Sequence, residues 1–253
     1  MNQHIVIVGT GFAGERLMRA LADEGIATGS VARLDAPTTL SLVGLDAHGV
    51  PSYSFYGHGA ADRGLRAEHL AAVPASARAF HFGSYAMVVE TTGSTQRALV
   101  EREHRRSVIS YDPNIRANVE PDLEVWRRTL DWMLPRTHLL KVSDEDLGLL
   151  YPGQPIEAFA QRALAAGTPW VVVTRGGEGA VGFTARDTVA MPGLRVQVID
   201  TVGAACTVVV ASASAAPGPL APKISATWVL LSEYVTATEE PVSSTPLTPD
   251  AVL

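Results

Sequence analysis

The chain has 253 residues, of which 47% are hydrophobic and 18% are charged, and its formal net charge is −6. This composition is typical of a globular protein with a core, and the negative charge without a basic stripe argues against a nucleic-acid partner. The single cysteine, Cys206, excludes an internal disulfide and a multi-cysteine metal site, which fits the cytoplasm. The short apolar run Ile5–Val8 predicts neither a signal peptide nor a membrane span.

The first predicted element is a buried strand over Ile5–Val8, which Gly9-Thr-Gly-Phe-Ala-Gly14 joins to a predicted helix over Glu15–Glu24. Glycines at this spacing between a strand and a helix let the backbone approach a pyrophosphate. Asp35 follows at the distance expected of a ribose partner. A dinucleotide-binding oxidoreductase module, for NAD or FAD, is therefore one interpretation of this segment.

Two further segments precede the middle of the chain. Alternating apolar positions around Asp46-Ala-His-Gly-Val50 predict a β-hairpin within residues 31–62. We interpret Asp62, after this hairpin, as part of a solvated turn. A short strand over Ala79–Gly83 follows, and we interpret its His81 as a core histidine.

A β-branched strand that starts at Val108 ends in Asp112-Pro-Asn114, where Pro113 stops it. Open parallel sheets place ligand-binding groups at the carboxyl ends of their strands, so we predict a ligand site here. Arg116 follows at once, and its guanidinium can bind two phosphate oxygens together. An ordinary turn with a surface arginine is the alternative interpretation.

Two more strands end in polar or glycine-rich segments. The strand Leu139–Ser143 passes into a helix, with Ser143 as the predicted N-cap and acidic residues in the first turn. The strand Trp170–Thr174 passes into a glycine-rich turn that ends at Gly179. Such a turn allows close approach of the backbone to a phosphate, although a simple hairpin turn explains the same residues.

The last patterned segment begins with the apolar run Val196–Ile199, which ends in Asp200-Thr201. The small-residue turn Gly203–Ala205 comes next, and we predict a buried helix over Thr207–Ala216. Unpaired backbone N–H groups at the start of such a helix form an anion site. Residues 239–253 are predicted to be a disordered tail.

Three of these segments resemble, in sequence and order, the signatures of the PfkB (ribokinase-like) carbohydrate kinases, fructokinase type: Asp112-Pro-Asn-Ile-Arg116, Val173-Thr-Arg-Gly-Gly177 and Asp200-Thr-Val-Gly-Ala204. The resemblance implies an α/β, ribokinase-like fold in one domain over residues 1–253, with a mostly parallel central sheet flanked by helices. It also implies a small β lid at about residues 31–62, through which a homodimer can form. The implied activity is phosphoryl transfer from ATP, with Mg²⁺, to a hydroxyl of a fructose-like sugar.

The same resemblance implies roles for individual residues. The anion hole and the position of the catalytic base fall on Gly203, Ala204, Ala205 and Cys206. Contacts with the substrate and the transferring phosphate fall on Asp112, Asn114 and Arg116. ATP contacts fall on Lys141, Thr174, Arg175, Gly176, Gly177, Gly179, Asp200 and Thr201. Asp146 is implied to act on magnesium indirectly, through water.

Two departures from the family pattern argue for impaired activity. Cys206 stands where the family has an aspartate as general base, and a thiol with a pKa of about 8.5 is mostly neutral near pH 7. The sugar-binding segment that opens family members is not found before Phe12. Because loss of a general base typically costs about 10²–10⁴-fold in rate, we expect a weak or inactive kinase. A non-catalytic remnant of a kinase is the second alternative interpretation.

Overall fold

The computed structural model describes residues 6–7, 18, 21–45, 51–193, 206–213 and 224–232. Its strands in chain order are β1 (Val6–Ile7), β2 (Leu40–Leu45), β3 (Pro51–Tyr56), β4 (Ala79–Gly83), β5 (Val108–Asp112), β6 (Leu139–Ser143), β7 (Trp170–Thr174), β8 (Ala180–Phe183), β9 (Thr188–Met191), β10 (Cys206–Ala213) and β11 (Ile224–Ser232). The helices are α1 (Thr92–Glu103), α2 (Leu123–Met133), α3 (Asp144–Leu150) and α4 (Ile156–Ala165). None of the helices in these ranges is long and apolar enough to span a membrane.

A seven-stranded sheet in the order β1-β4-β5-β6-β7-β8-β9 forms the centre of the molecule. The first five of these strands are parallel, while β8 and β9 add to the edge as antiparallel strands. The predicted mostly parallel central sheet is therefore confirmed. Because β4 to β7 advance in one direction with a helix between each pair, right-handed crossovers place these helices on one face of the sheet.

The core lies between this face and the helices. Alternate strand residues point into it, and the largest are fully buried: Phe80, Phe82, Ile109, Tyr111 and Leu140. The helices meet them with Leu99, Trp126, Leu130, Leu147 and Phe159. Trp126, which is 1% exposed, also donates a 2.9 Å hydrogen bond from Nε1 to the Glu120 carbonyl, so its burial leaves no unpaired N–H group.

The other face of the same strands is polar. His81 on β4 places Nδ1 2.8 Å from Oγ of Ser110, its neighbour on β5. Asp112 and Lys141 continue this row on β5 and β6. The interpretation of His81 as a core histidine is wrong, because the residue points away from the helical layer and is exposed.

Two small antiparallel sheets complete the described structure. Strands β2 and β3 pair from Leu40 with Tyr56 to Leu45 with Pro51, which confirms the predicted hairpin. Strands β10 and β11 pair from Cys206 with Ser232 to Ala213 with Ile224. The predicted helix over Thr207–Ala216 is wrong. Thr207 and the three valines that follow it favour a strand, and the apolar run of β11 pairs with this strand in an antiparallel sheet. The predicted tail at 239–253 lies outside the described residues.

Candidate active site

The carboxyl ends of three neighbouring parallel strands bring sequence-predicted site residues to one edge of the sheet. Asn114 follows β5, Asp146 follows β6, and Gly176 follows β7. Parallel strands end at the same edge, and two strand spacings separate β5 from β7 by about 10 Å. The predicted phosphate-binding segments after β5 and β7 therefore lie close enough to serve one ligand.

Asp112, at the end of β5, forms an ion pair with Lys141 of β6. The Lys141 Nζ lies 2.9 Å from Oδ2 of Asp112, and both side chains are 18% exposed. Burial raises the pKa of Asp112, while the charge and hydrogen bond of Lys141 act in the opposite direction. The predicted ATP contact Lys141 therefore has a direct role in fixing Asp112.

Asn114 and Arg116 extend beyond this ion pair. Asn114 has a left-handed backbone, with φ of +40°, and its side-chain amide makes no hydrogen bond to a described residue. Arg116 donates from Nη1 to the Ile115 carbonyl at 2.9 Å, the one hydrogen bond that its side chain makes within the described part. Both side chains thus keep donors available for an anionic or polyhydroxylated ligand.

The start of α3 carries the next predicted residue, Asp146. Ser143 caps this helix as predicted, because its Oγ accepts a 3.0 Å hydrogen bond from the Asp146 amide. The side chain of Asp146 is buried, and its Oδ1 accepts a 3.0 Å hydrogen bond from the Ile115 amide. One oxygen of Asp146 therefore fixes the loop after β5, and the other makes no hydrogen bond to a described residue.

The turn from Thr174 to Gly179 joins β7 to β8, so it is a hairpin turn at the same edge. A Cβ on Gly176 or Gly177 would meet no described atom within 4 Å, which leaves this side of the backbone open to a ligand within the described part. Gly179, with φ of +93°, is different, because a Cβ there would overlap the Met191 carbonyl. Arg175 is tied into the turn by an ion pair of 3.3 Å with Glu178.

The remaining predicted residues lie beyond β9. Asp200, Thr201 and the turn Gly203–Ala205 lie outside the described residues. Cys206 is the first residue of β10, and only its backbone pairing with Ser232 is described. No group of three or more metal-ligating His, Cys, Asp or Glu side chains occurs in the ranges that the structure describes.

A buried polar cluster under the β2–β3 hairpin was missed by the sequence analysis. The Thr39 hydroxyl donates to Oδ1 of Asp62, and Asp62 is 7% exposed, so its interpretation as a solvated turn residue is wrong. Burial and, next, the charge of Asp62 raise the pKa of Tyr85 to about 12. The ring of Phe55 on β3 lies 6.0 Å from that of Tyr85, which connects the hairpin to the main sheet.

Comparison with known sequences identifies relatives. The model of the pfkB family carbohydrate kinases matches residues 3–216. A fructokinase of Rhizobium leguminosarum bv. trifolii is 35% identical over 191 residues, which cover 76% of this chain and 58% of the relative. Fructokinase-1 of Zea mays is 30% identical over 195 residues, covering 76% and 60%. The chain thus spans about three fifths of the length of the curated relatives it matches.

Comparison with solved structures also identifies fructokinases as similar proteins. The fructokinase of Vibrio cholerae O395, in a form with bound fructose, ADP and calcium ion, matches with a TM-score of 0.66 and 27% identity, over 79% of this chain and 65% of that one. The fructokinase of Xylella fastidiosa with bound ATP matches with a TM-score of 0.66 and 26% identity, over 79% and 63%. These matches confirm the predicted α/β architecture, a mostly parallel sheet flanked by helices with a small β lid.

Proposed function

Because the chain belongs to the pfkB family of carbohydrate kinases and has the ribokinase-like fold of its fructokinases, we propose that it binds ATP and transfers the terminal phosphoryl group to a hydroxyl of a fructose-like sugar. The observation that carries the proposal is the shared edge of the sheet. There the amide of Asn114, which has no partner among the described residues, and the guanidinium of Arg116 follow β5, and the open backbone at Gly176 and Gly177 follows β7, two strands away.

The donor set at this edge fits a nucleotide. Phosphate oxygens are acceptors, and the side chains of Asn114 and Arg116 keep N–H donors without a partner among the described residues, while Gly176 and Gly177 leave space beside the turn after Thr174. We assign ATP contacts to Thr174, Arg175, Gly176, Gly177, Gly179, Asp200 and Thr201, with Lys141 acting through Asp112. Bound ATP would supply the phosphoryl group, and Mg²⁺ would neutralise its charge. Asp146 would hold water on that ion with the oxygen that Ile115 does not use.

In this proposal, Cys206 determines the rate of phosphoryl transfer. We assign the anion hole to Gly203, Ala204 and Ala205, and the position of the general base to Cys206. A mostly neutral thiol at that position is a poor proton acceptor near pH 7. We therefore expect ATP to bind, while phosphoryl transfer is about 10²–10⁴-fold slower than with a carboxylate base.

Two measurements test this function. Calorimetry with ATP and Mg²⁺ on the folded chain should show saturable binding, and no heat would overturn the proposal. A coupled ATP-consumption assay across a panel of sugars should show low activity that Ala205→Gly with Cys206→Asp raises, most of all with fructose. Ala205→Gly with Cys206→Asn is the matched control, because it restores shape without a base. Equal activity of the two variants would contradict the role of position 206, and silence of both would favour the non-catalytic remnant.

The dinucleotide alternative has less support. Gly9–Gly14 lies outside the described residues, and the kinase family match starts at residue 3 and therefore includes it. This continuity supports assigning the segment to the kinase. Saturable binding of NADH or a flavin in a fluorescence titration would instead favour an oxidoreductase module.

We further propose that two chains associate through the β2–β3 hairpin. Leu40, Leu42 and Tyr56 are 55%, 50% and 62% exposed and share one face of it. The other face carries Phe55 toward Tyr85, so the outer face is free to meet a second copy.

The lone cysteine is consistent with our proposal of a cytoplasmic protein.

A further inference from the structure

Ser84 and Asn114 share an unusual backbone conformation. They are the two non-glycine residues with positive φ in the described part, at +54° and +40°. L-residues enter this region rarely, and such positions cluster at functional sites. The Ser84 hydroxyl donates a 3.1 Å hydrogen bond to the Asn114 carbonyl, so the two strained residues are joined directly.

The close approach of β4 to β5 makes this hydrogen bond possible. Gly83 pairs with Asp112 across the two strands, and a Cβ on Gly83 would overlap the Asp112 carbonyl oxygen. Glycine therefore lets the end of β4 pass close to β5. Ser84, the next residue, then reaches over the loop that begins after Asp112.

The Asn114–Ile115 peptide group is held at both of its polar ends. Its carbonyl oxygen accepts the hydrogen bond from Ser84. Its N–H group donates a 3.0 Å hydrogen bond to Oδ1 of Asp146. The two partners come from different elements, the end of β4 and the start of α3. Rotation of this peptide plane would break both bonds at once, so the pair of contacts selects one orientation.

This orientation controls two side chains of the proposed site. The plane of the Asn114–Ile115 peptide sets ψ of Asn114 and φ of Ile115. The direction of the Asn114 amide and the path of the chain to Arg116 follow from those angles. A loop held in this way meets a phosphate without being reordered, which improves affinity for the bound state.

We propose that Ser84 is a positioning residue that clamps the Asn114–Ile115 peptide together with Asp146 and thereby aims Asn114 and Arg116 at the terminal phosphate of the nucleotide. This proposal rests on the proposed function for the identity of the ligand. The clamp itself rests on the two hydrogen bonds alone. Its test therefore needs one readout that is independent of ATP.

Hydrogen exchange of the full chain supplies that readout. In Ser84→Gly, which tolerates the left-handed backbone but lacks the hydroxyl, the Ile115 amide should exchange about two- to tenfold faster, as expected from the loss of one hydrogen bond. Ser94→Ala is the matched control, because the Ser94 hydroxyl also donates to a backbone carbonyl, that of Thr91, at 2.9 Å. It should leave the exchange of Ile115 unchanged. Unchanged exchange in Ser84→Gly would overturn the clamp.

Nucleotide binding then separates positioning from general stability. Ser84→Gly should raise the dissociation constant of ATP by about two- to tenfold and leave that of ADP, which lacks the terminal phosphate, unchanged. Equal weakening of ATP and ADP, or faster exchange with unchanged ATP affinity, would overturn the positioning role. If the unsubstituted chain binds no ATP, the proposed function fails, and the exchange measurement still decides whether the clamp exists.

Discussion

The ion pair between Lys141 and Asp112 bridges two neighbouring strands, with each side chain only 18% exposed. Burial raises the pKa of Asp112, and Oδ1 of this carboxylate is buried without a hydrogen-bond partner among the described residues. Removal of Lys141 would leave a largely buried charge uncompensated. We expect Lys141→Met to lower the free energy of unfolding at pH 7 by about 1–3 kcal/mol in urea denaturation, less than for a fully buried pair.

The pH dependence of this loss identifies its cause. A carboxyl group whose pKa is raised in the folded state favours folding when it is protonated, and this contribution is lost as the pH rises through the folded pKa. The loss in free energy of unfolding that Lys141→Met causes should therefore become smaller as the pH falls to about 4–5. Asp112→Asn in the same chain should recover most of the loss at pH 7. A deficit that is equal at both pH values would contradict this account.

The contacts of single residues were the features that the sequence predicted least well. Asp62 follows two alanines and carries no local signal of burial, because its partner Thr39 lies 23 residues away in the chain. Ser84 follows a glycine in an ordinary strand end, and its bond to Asn114 spans 30 residues. Such contacts depend on which strands become neighbours, and local periodicity does not contain that information.

At the scale of elements, two glycines of the turn between β7 and β8 have different roles. Gly179 has φ of +93° and lies against the Met191 carbonyl, so an added methyl group meets both backbone strain and overlap. We expect Gly179→Ala to lower the free energy of unfolding by at least about 2 kcal/mol, measured by thermal or urea denaturation.

Gly177 in the same turn is the matched control, because a Cβ there meets no atom of the described residues within 4 Å. Gly177→Ala should change the free energy of unfolding by less than about 0.5 kcal/mol. It should nevertheless weaken ATP binding, since its methyl group enters the side of the turn that we assign to phosphate. Equal destabilisation by Gly177→Ala and Gly179→Ala would contradict this division.

Elements with a strong local signal were predicted well. Strand ends at Asp112 and Thr174, the N-cap at Ser143 and the hairpin of β2 and β3 all appear as expected, since each depends on residues close in sequence. The helix predicted after Cys206 was wrong, because a short apolar run fits a buried helix or a strand equally well. Its pairing with β11, over ten residues further along the chain, decided the outcome.

At the scale of the whole molecule, the described sheet is asymmetric. The helices cover one face, and the row from His81 through Ser110 and Asp112 to Lys141 lies on the other. Parallel sheets usually have apolar residues on both faces. The polar row ends at the same edge as the proposed nucleotide site, so the ion pair of Asp112 and Lys141 belongs both to the sheet and to the loop that carries Asn114.

The second feature of the whole molecule is the exposed outer face of the β2–β3 hairpin. Leu40 pairs with Tyr56 across the two strands, and Leu42 lies on the same face, so the three side chains form one apolar surface. We expect the chain to be a dimer in sedimentation equilibrium at micromolar concentration, because association removes this surface from water. Leu42→Glu should give a monomer, since two such carboxylates would meet in a symmetric interface. Leu149→Glu, on α3, is the control, because Leu149 is 45% exposed and lies outside the hairpin. A monomeric unsubstituted chain, or a Leu42→Glu variant that remains dimeric, would show that this face is not the interface.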